Sequence, residues 1–338
     1  MRIVLFRTDR LGDVVISSAL VEATQRAYPE AEVFFCASEI YGPLLMAPEK
    51  ATHFLPWGSL SPQQVRDLNF DVSIHLHPDS VCAKLAQDAG IPRRVGYAQD
   101  AQWLTDALPY DKDAGLKHEL EYCLAVVQSA LPEVRDPWTP ALPFASWSPD
   151  RAEPRIVIHC GSFGAKAKLP PSLLAQIAKD VIDAEIIAEA TEVKVTLIGT
   201  EQEFAIAEGV ANELRARQIP VENLSGKLPL PGMVDSLTRA SLFIGRDSGP
   251  AHVAAATGCP TCCIFPVTRS DVSPVRWRPL GPRVLVFEIP AKPWPWQKNA
   301  TAAEKAFAKQ SPTKVSDAIA DFLRSLQVDQ AQRPIGQR

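Results

Sequence analysis

The sequence predicts an α/β protein made of two doubly wound halves, and two observations carry this reading. Short apolar runs, each closed by a loop rich in Gly, Asp or His, alternate with stretches of helical period, and the series occurs twice. Between the two series, residues 132–154 hold Pro132, Pro137, Pro140, Pro143, Pro149 and Pro154, mixed with Trp138 and Trp147. Prolines at that density break both helix and strand and mark a boundary. The chain is therefore expected to divide into domains 1–150 and 151–327, with 328–338 as a disordered polar tail.

The elements follow in order. An apolar strand at 3–6 leads through the loop 7–12 into a helix over 13–28, which Pro29 stops. Further strands are expected at 32–36, 52–56, 72–75 and 94–96, with helical stretches between them. The second half opens with a strand at 155–159 and a helix over 170–189 that has Pro near its start. A strand at 193–198, a helix over 201–217, a strand at 242–244, a helix over 250–257 and a strand at 261–265 complete the alternation. An amphipathic helix over 315–326 ends the fold.

Composition narrows the function. Hydrophobic residues make up 46% of the chain, enough for each half to bury a core. The 35 basic and 39 acidic residues give a net charge of −4, which argues against a nucleic-acid partner. The seven cysteines are odd in number and irregular in spacing, as expected of reduced thiols in a cytoplasmic protein. Cys259 and Cys262 form a C-x-x-C, but the adjoining apolar run reads them as small residues of a buried strand. The apolar start of the chain is too short for a signal peptide, and no run is long enough to cross a membrane.

Ligands of doubly wound sheets bind at loops beyond the carboxyl ends of the strands. The first such loop is Arg7-Thr8-Asp9-Arg10-Leu11-Gly12-Asp13. Gly12 allows a tight turn into the helix, and Arg7 and Arg10 offer two guanidinium groups to phosphates or carboxylates. Asp13 either takes a proton from an attacking hydroxyl or simply favours the helix start, and spacing leaves both readings open. With Gly12 as its one glycine, the loop is not the dinucleotide fingerprint, so a nicotinamide enzyme is disfavoured.

The second loop is Gly245-Arg246-Asp247-Ser248-Gly249-Pro250-Ala251-His252. With Gly249 as cap and Pro250 as first helical residue, its free amides would make an anion site suited to a diphosphate. Asp247 is read as a partner of sugar or ribose hydroxyls, and His252 either points at the phosphates or packs on its own helix. A third loop, 159–170, carries Lys166 and Lys168, which either neutralise a leaving diphosphate or form a solvated charged loop. In a fourth, Glu201 and Glu203 either bind ribose or help a helix start.

Together these loops resemble the ADP-heptose:lipopolysaccharide heptosyltransferases, glycosyltransferase family 9. The matching segments are Arg7-Thr8-Asp9-Arg10-Leu11-Gly12-Asp13-Val14-Val15 and Asp247-Ser248-Gly249-Pro250-Ala251-His252-Val253-Ala254-Ala255-Ala256, the latter followed by Gly258-Cys259-Pro260 and Phe265-Pro266-Val267-Thr268. The resemblance implies a GT-B fold, two Rossmann-like domains facing a central cleft, with the acceptor on the N-terminal domain and the nucleotide sugar on the C-terminal one. It implies inverting transfer without a metal or a resident cofactor, from a donor such as ADP-heptose to an anionic glycolipid such as the lipopolysaccharide inner core. Asp13 would be the general base, with Arg7, Arg10 and Gly12 near the acceptor. Asp247, Ser248, Gly249, Pro250, Ala251 and His252 would line the donor, with Glu203, or Glu201 in another register, at the ribose. The chain departs from the family in the third loop. It has His159-Cys160-Gly161 where His-Pro-Gly is usual, and Ala167 and Leu169 at the usual Lys and Trp positions, so Lys166 or Lys168 would meet the diphosphate. The expected location is cytoplasmic, with peripheral contact at the inner membrane face. The rival readings are a glycosyltransferase with another donor, a nucleotide-sugar epimerase that needs no acceptor, and a binding protein without turnover.

Three further features are open to two readings. His75 and His77 suggest a metal by position, though without a carboxylate triad. The aromatic stretch 290–296 reads first as a covering loop and second as a lipid contact. Arg269, Arg276, Arg278 and Arg283 surround Trp277 as either a patch for an anion or a solvated surface.

Overall fold

Strand pairing divides the described residues into two six-stranded parallel sheets of the same topology. The computed structural model describes residues 1–45, 52–135, 140, 142, 145–161, 169–187, 192–267, 272–291 and 299–332. Lys166 and Lys168, Arg269 and most of the aromatic stretch 290–296 lie outside these residues.

The first sheet holds β1 (Arg2–Phe6), β2 (Glu32–Ser38), β3 (Thr52–Trp57), β4 (Val72–His75), β5 (Arg93–Tyr97) and β6 (Asp106–Leu108), in the order β3-β2-β1-β4-β5-β6. Its helices are α1 (Leu11–Ala27), α2 (Gly42–Leu45), α3 (Pro62–Asp67), α4 (Ser80–Asp88) and α5 (Glu119–Ala130). The second sheet holds β7 (Arg155–His159), β8 (Lys194–Ile198), β9 (Val221–Asn223), β10 (Leu242–Arg246), β11 (Thr261–Val267) and β12 (Val284–Pro290), in the order β12-β11-β10-β7-β8-β9. With it come α6 (Pro171–Asp183), α7 (Phe204–Ala216), α8 (Leu230–Thr238), α9 (Gly249–Thr257), α10 (Pro274–Trp277), α11 (Asn299–Ala308) and α12 (Pro312–Gln332).

The central strands are apolar because both of their faces are covered. Ile3, Val4 and Leu5 of β1 and Leu242, Phe243 and Ile244 of β10 are fully buried. On α6, Leu173, Leu174, Ile177, Ala178 and Val181 recur on one face and join the core of the second sheet. Each buried leucine there contributes roughly 1.5–3 kcal/mol of transfer free energy. Strand order reverses between β1 and β4 in one sheet and between β7 and β10 in the other. Those reversals are where ligands of open α/β sheets bind.

The chain forms two compact units, the first comprising Met1–Ala145 and Val275–Leu280, the second the rest from Ser146. The first unit thus takes a short segment from the C-terminal part of the sequence. Three differences from expectation have physical reasons. β6 and β9 are three-residue edge strands, too short for an apolar run, and β12 is a half-exposed edge whose apolar run Val284-Leu285-Val286-Phe287 is absent from the expected series of strands. α12 continues to Gln332 because no Pro or Gly interrupts it there, so part of the expected tail is helical. α6 ends at Asp183, and Glu185 takes a positive φ of 53° just after it. No described helix is long and apolar enough to cross a membrane.

Candidate active site

The loop after β1 wraps around one guanidinium. Arg7 is 1% exposed. Its Nε and Nη2 donate to the two carboxylate oxygens of Asp9 at 2.7 and 3.0 Å. Nη2 also donates to Asp13 Oδ1 at 2.5 Å, and Nη1 to Glu119 Oε1 at 2.9 Å. Burial works against this charge, but Asp9, Asp13 and Glu119 together hold the Arg7 pKa well above the ordinary guanidinium value. Arg7, expected near the acceptor, is buried and serves as an internal strut for the carboxylates of this loop.

Glu119 extends the network. It is 1% exposed at the first position of α5 and accepts from Lys112 Nζ at 2.7 Å and from Arg276 Nε and Nη2 at 3.2 and 2.8 Å. Arg276 comes from the returning segment and also bonds the Lys112 carbonyl. Lys112 lies 4.7 Å from the centre of the Tyr97 ring. Burial opposes ionisation of Glu119, yet Arg7, Lys112 and Arg276 hold its carboxyl far below the usual carboxylate range. Three buried cations meet three carboxylates, of which Asp9 is the most exposed and Asp13 is buried at the edge of the set. Arg10 is exposed at the N-cap of α1.

In the second unit, loops after β7, β8 and β10 carry the candidate groups. Glu203 accepts from Thr200 N at 2.8 Å and Thr200 Oγ1 at 3.0 Å, and lies 3.4 Å from His159 Nε2. Burial raises its pKa, but His159 and Thr200 outweigh burial and bring it down to about 2. Two glycines make room for this carboxylate: a Cβ on Gly161 would stand 1.7 Å from Glu203 Oε1, and one on Gly199 3.0 Å from Oε2. Asp247 Oδ1 lies 3.6 Å from His252 Nε2, so His252 faces its own loop's carboxylate. The Nδ1 atoms of His159 and His252 are buried without a hydrogen bond.

The helix start after β10 differs from expectation. Ser248 is the cap, Gly249 the first helical residue and Pro250 the second. Ser248 Oγ donates back to the Arg246 carbonyl at 3.0 Å instead of capping the helix. The amides of Ala251 and His252 already donate to the Ser248 carbonyl, and Pro250 has none, so the turn offers an anion fewer amides than the sequence suggested. Gly12 also differs: it lies inside the first turn of α1, and its φ is not positive, so the backbone there needs no glycine freedom.

The remaining candidates are structural. His75 is buried, stacks on Phe6 at 4.9 Å and meets Ser73 Oγ at 3.2 Å, and burial brings its pKa down to about 3. His77 sits instead 3.8 Å from Asp9. Among the described residues, no three His, Cys, Asp or Glu side chains are grouped to hold a metal. All seven cysteines are free and buried, the C-x-x-C pair included.

Two doubly wound units of this topology have the architecture of the GT-B fold. The structure superposes on E. coli ADP-heptose LPS heptosyltransferase II with a TM-score of 0.77 at 21% identity, covering 97% of this chain and 100% of the other. It superposes on E. coli heptosyltransferase WaaC with ADP at a TM-score of 0.70 and 16% identity, covering 95% and 100%. Lipopolysaccharide heptosyltransferase 2 of Escherichia coli (strain K12) is 24% identical over 318 residues, 86% of this chain and 88% of the relative. The profile of glycosyltransferase family 9 (heptosyltransferase) matches residues 61–307, and the chain belongs to that family.

Proposed function

We propose that the protein transfers a heptose from ADP-heptose, with inversion and without a metal, onto an anionic glycolipid such as the lipopolysaccharide inner core. The observation that carries this reading is Asp13, held in the first turn of α1, just beyond β1, by a 2.5 Å contact from Arg7. The similarity to lipopolysaccharide heptosyltransferases, one of them solved with ADP, supports donor and acceptor class. The first unit binds the acceptor, with Arg10 at the entrance, and the second binds the donor. An acceptor oxygen attacks the anomeric carbon from the face opposite the diphosphate. The bond from that carbon to the phosphate oxygen breaks, its electron pair stays on the phosphate, and Asp13 takes the acceptor proton. Asp247 and Glu203 meet sugar and ribose hydroxyls, and the α9 start, with Lys166 or Lys168, faces the developing charge. The enzyme works from the cytoplasm at the inner membrane face.

Calorimetry with ADP, UDP and GDP tests the donor, with Asp247→Ala as control. Selective ADP binding that the variant loses is the expected result. A preference for UDP or GDP would discard ADP-heptose. Absence of all binding would leave a non-catalytic protein. Turnover that persists in a chelator checks metal independence.

A further inference from the structure

Arg246 ends β10 at the strand reversal of the second sheet, yet two of its guanidinium nitrogens make no hydrogen bond. It is 3% exposed, and its Nε and Nη1 are buried without a hydrogen bond. It lies on the same strand face as Leu242 and Ile244, which belong to the apolar core with Cys160, Ile264 and Phe307. Ile264 is its partner on β11, and the Phe307 ring centre is 5.3 Å from its guanidinium. On the other side, the pairing of Ile244 with Ile158 puts it level with the loop that leaves β7. Burial draws its pKa below the ordinary guanidinium value despite the nearby Asp247. Hydrogen bonds left unmade by a buried cation are strongly unfavourable, so such a group is kept for a partner.

We propose that Arg246 binds a phosphate oxygen of the donor diphosphate in the crevice between β7 and β10, an inference that rests on the nucleotide-sugar reading above. The α9 start has few amides to give, and the usual lysine position of the neighbouring loop holds Ala167. A guanidinium at the same strand end would supply the missing positive charge in fork geometry. When the bond to the anomeric carbon breaks, the electron pair remains on the diphosphate. Arg246 neutralises that charge and neither gives nor takes a proton.

The test uses the full-length protein and calorimetry with the tightest-binding of ADP, UDP and GDP, with its nucleoside, and with inorganic pyrophosphate. Arg246→Gln is expected to weaken nucleotide and pyrophosphate binding by about 10- to 100-fold, with nucleoside binding unchanged, because a charge-assisted hydrogen bond is lost. Arg246→Lys should recover part of the loss. Without ligand, Arg246→Met should keep or raise Tm, because an apolar chain replaces an unpaired buried charge. Equal losses for nucleotide and nucleoside, unchanged pyrophosphate binding, or a Tm drop in Arg246→Met would overturn the proposal. Pyrophosphate binding that needs Arg246 in a protein that ignores all three nucleotides would overturn the nucleotide-sugar reading and leave the anion site standing. A wild-type protein that binds neither would overturn both.

Discussion

The strand reversals of the two sheets carry opposite kinds of polar site. At β1, every charge is answered within the first unit: Arg7, Lys112 and Arg276 against Asp9, Asp13 and Glu119. At β7 and β10, buried nitrogens stay unanswered, namely the donors Nε and Nη1 of Arg246 and the ring Nδ1 atoms of His159 and His252. The difference matches the two tasks. A base must hold one geometry whether or not substrate is present, so its surroundings are complete in advance. A diphosphate site gains affinity by leaving donors for the ligand to satisfy, at the expense of the empty fold.

The largest expected effect bears on the completed site. Asp13→Asn keeps shape and removes the base, and turnover should fall by about 10²- to 10⁴-fold. ADP affinity should be unchanged, since the nucleotide is assigned to the other unit. A parallel loss of ADP binding, measured by calorimetry, would break the division of tasks. Next is Glu119→Ala, which leaves Arg7, Lys112 and Arg276 without their shared carboxylate. Removing one side of a buried ion cluster costs about 3–5 kcal/mol, which urea unfolding should resolve. A loss below about 1 kcal/mol, the range of exposed pairs, would show that the cluster is not the internally balanced unit described above.

The sequence told these two sites apart only in part, and the reason is distance along the chain. The loops after β1, β7, β8 and β10 were legible because each follows an apolar run, and strand ends are where ligands bind. Asp13, Glu203 and Asp247 lie in or just after those loops. Glu119 and Arg276 are separated by 157 positions, and no spacing rule joins them. Arg276 was noticed only as part of an arginine-rich stretch, and the return of that segment to the first unit had no sequence signal. Arg246 stands in the segment Gly245–His252, but its burial follows from strand alternation, which the sequence pattern there does not fix. Covered strands are apolar throughout, which made the core strands legible, whereas β6 and β9 are three-residue edges too short for a pattern; β12 carries an apolar run that went unassigned.

Smaller effects sharpen the second site. A methyl group at Gly161 would overlap the Glu203 carboxylate, so Gly161→Ala must turn that side chain away from Thr200 and His159. The expected result is a loss of about 1 kcal/mol in stability and about tenfold in nucleotide affinity, as for one displaced hydrogen-bonded group. If stability falls and nucleotide affinity does not, Glu203 serves the fold alone.

The smallest effect is in pH dependence. The folded pKa of Glu203, about 2, lies below that of an unfolded glutamate, so the unfolded chain binds its proton first as pH falls. The stabilisation from this group is complete above roughly pH 4.5 and is lost as pH drops toward 2. Glu203→Gln should therefore destabilise the protein at pH 7, with a gap to the wild type that narrows at pH 3 and closes only toward pH 2 and below, measured by urea midpoints. The gap should be modest because the carboxylate is partly open to water. A gap that does not change with pH would mean that Glu203 acts by shape and hydrogen bonding, and that the ion-balanced style of the first site is not repeated in the second.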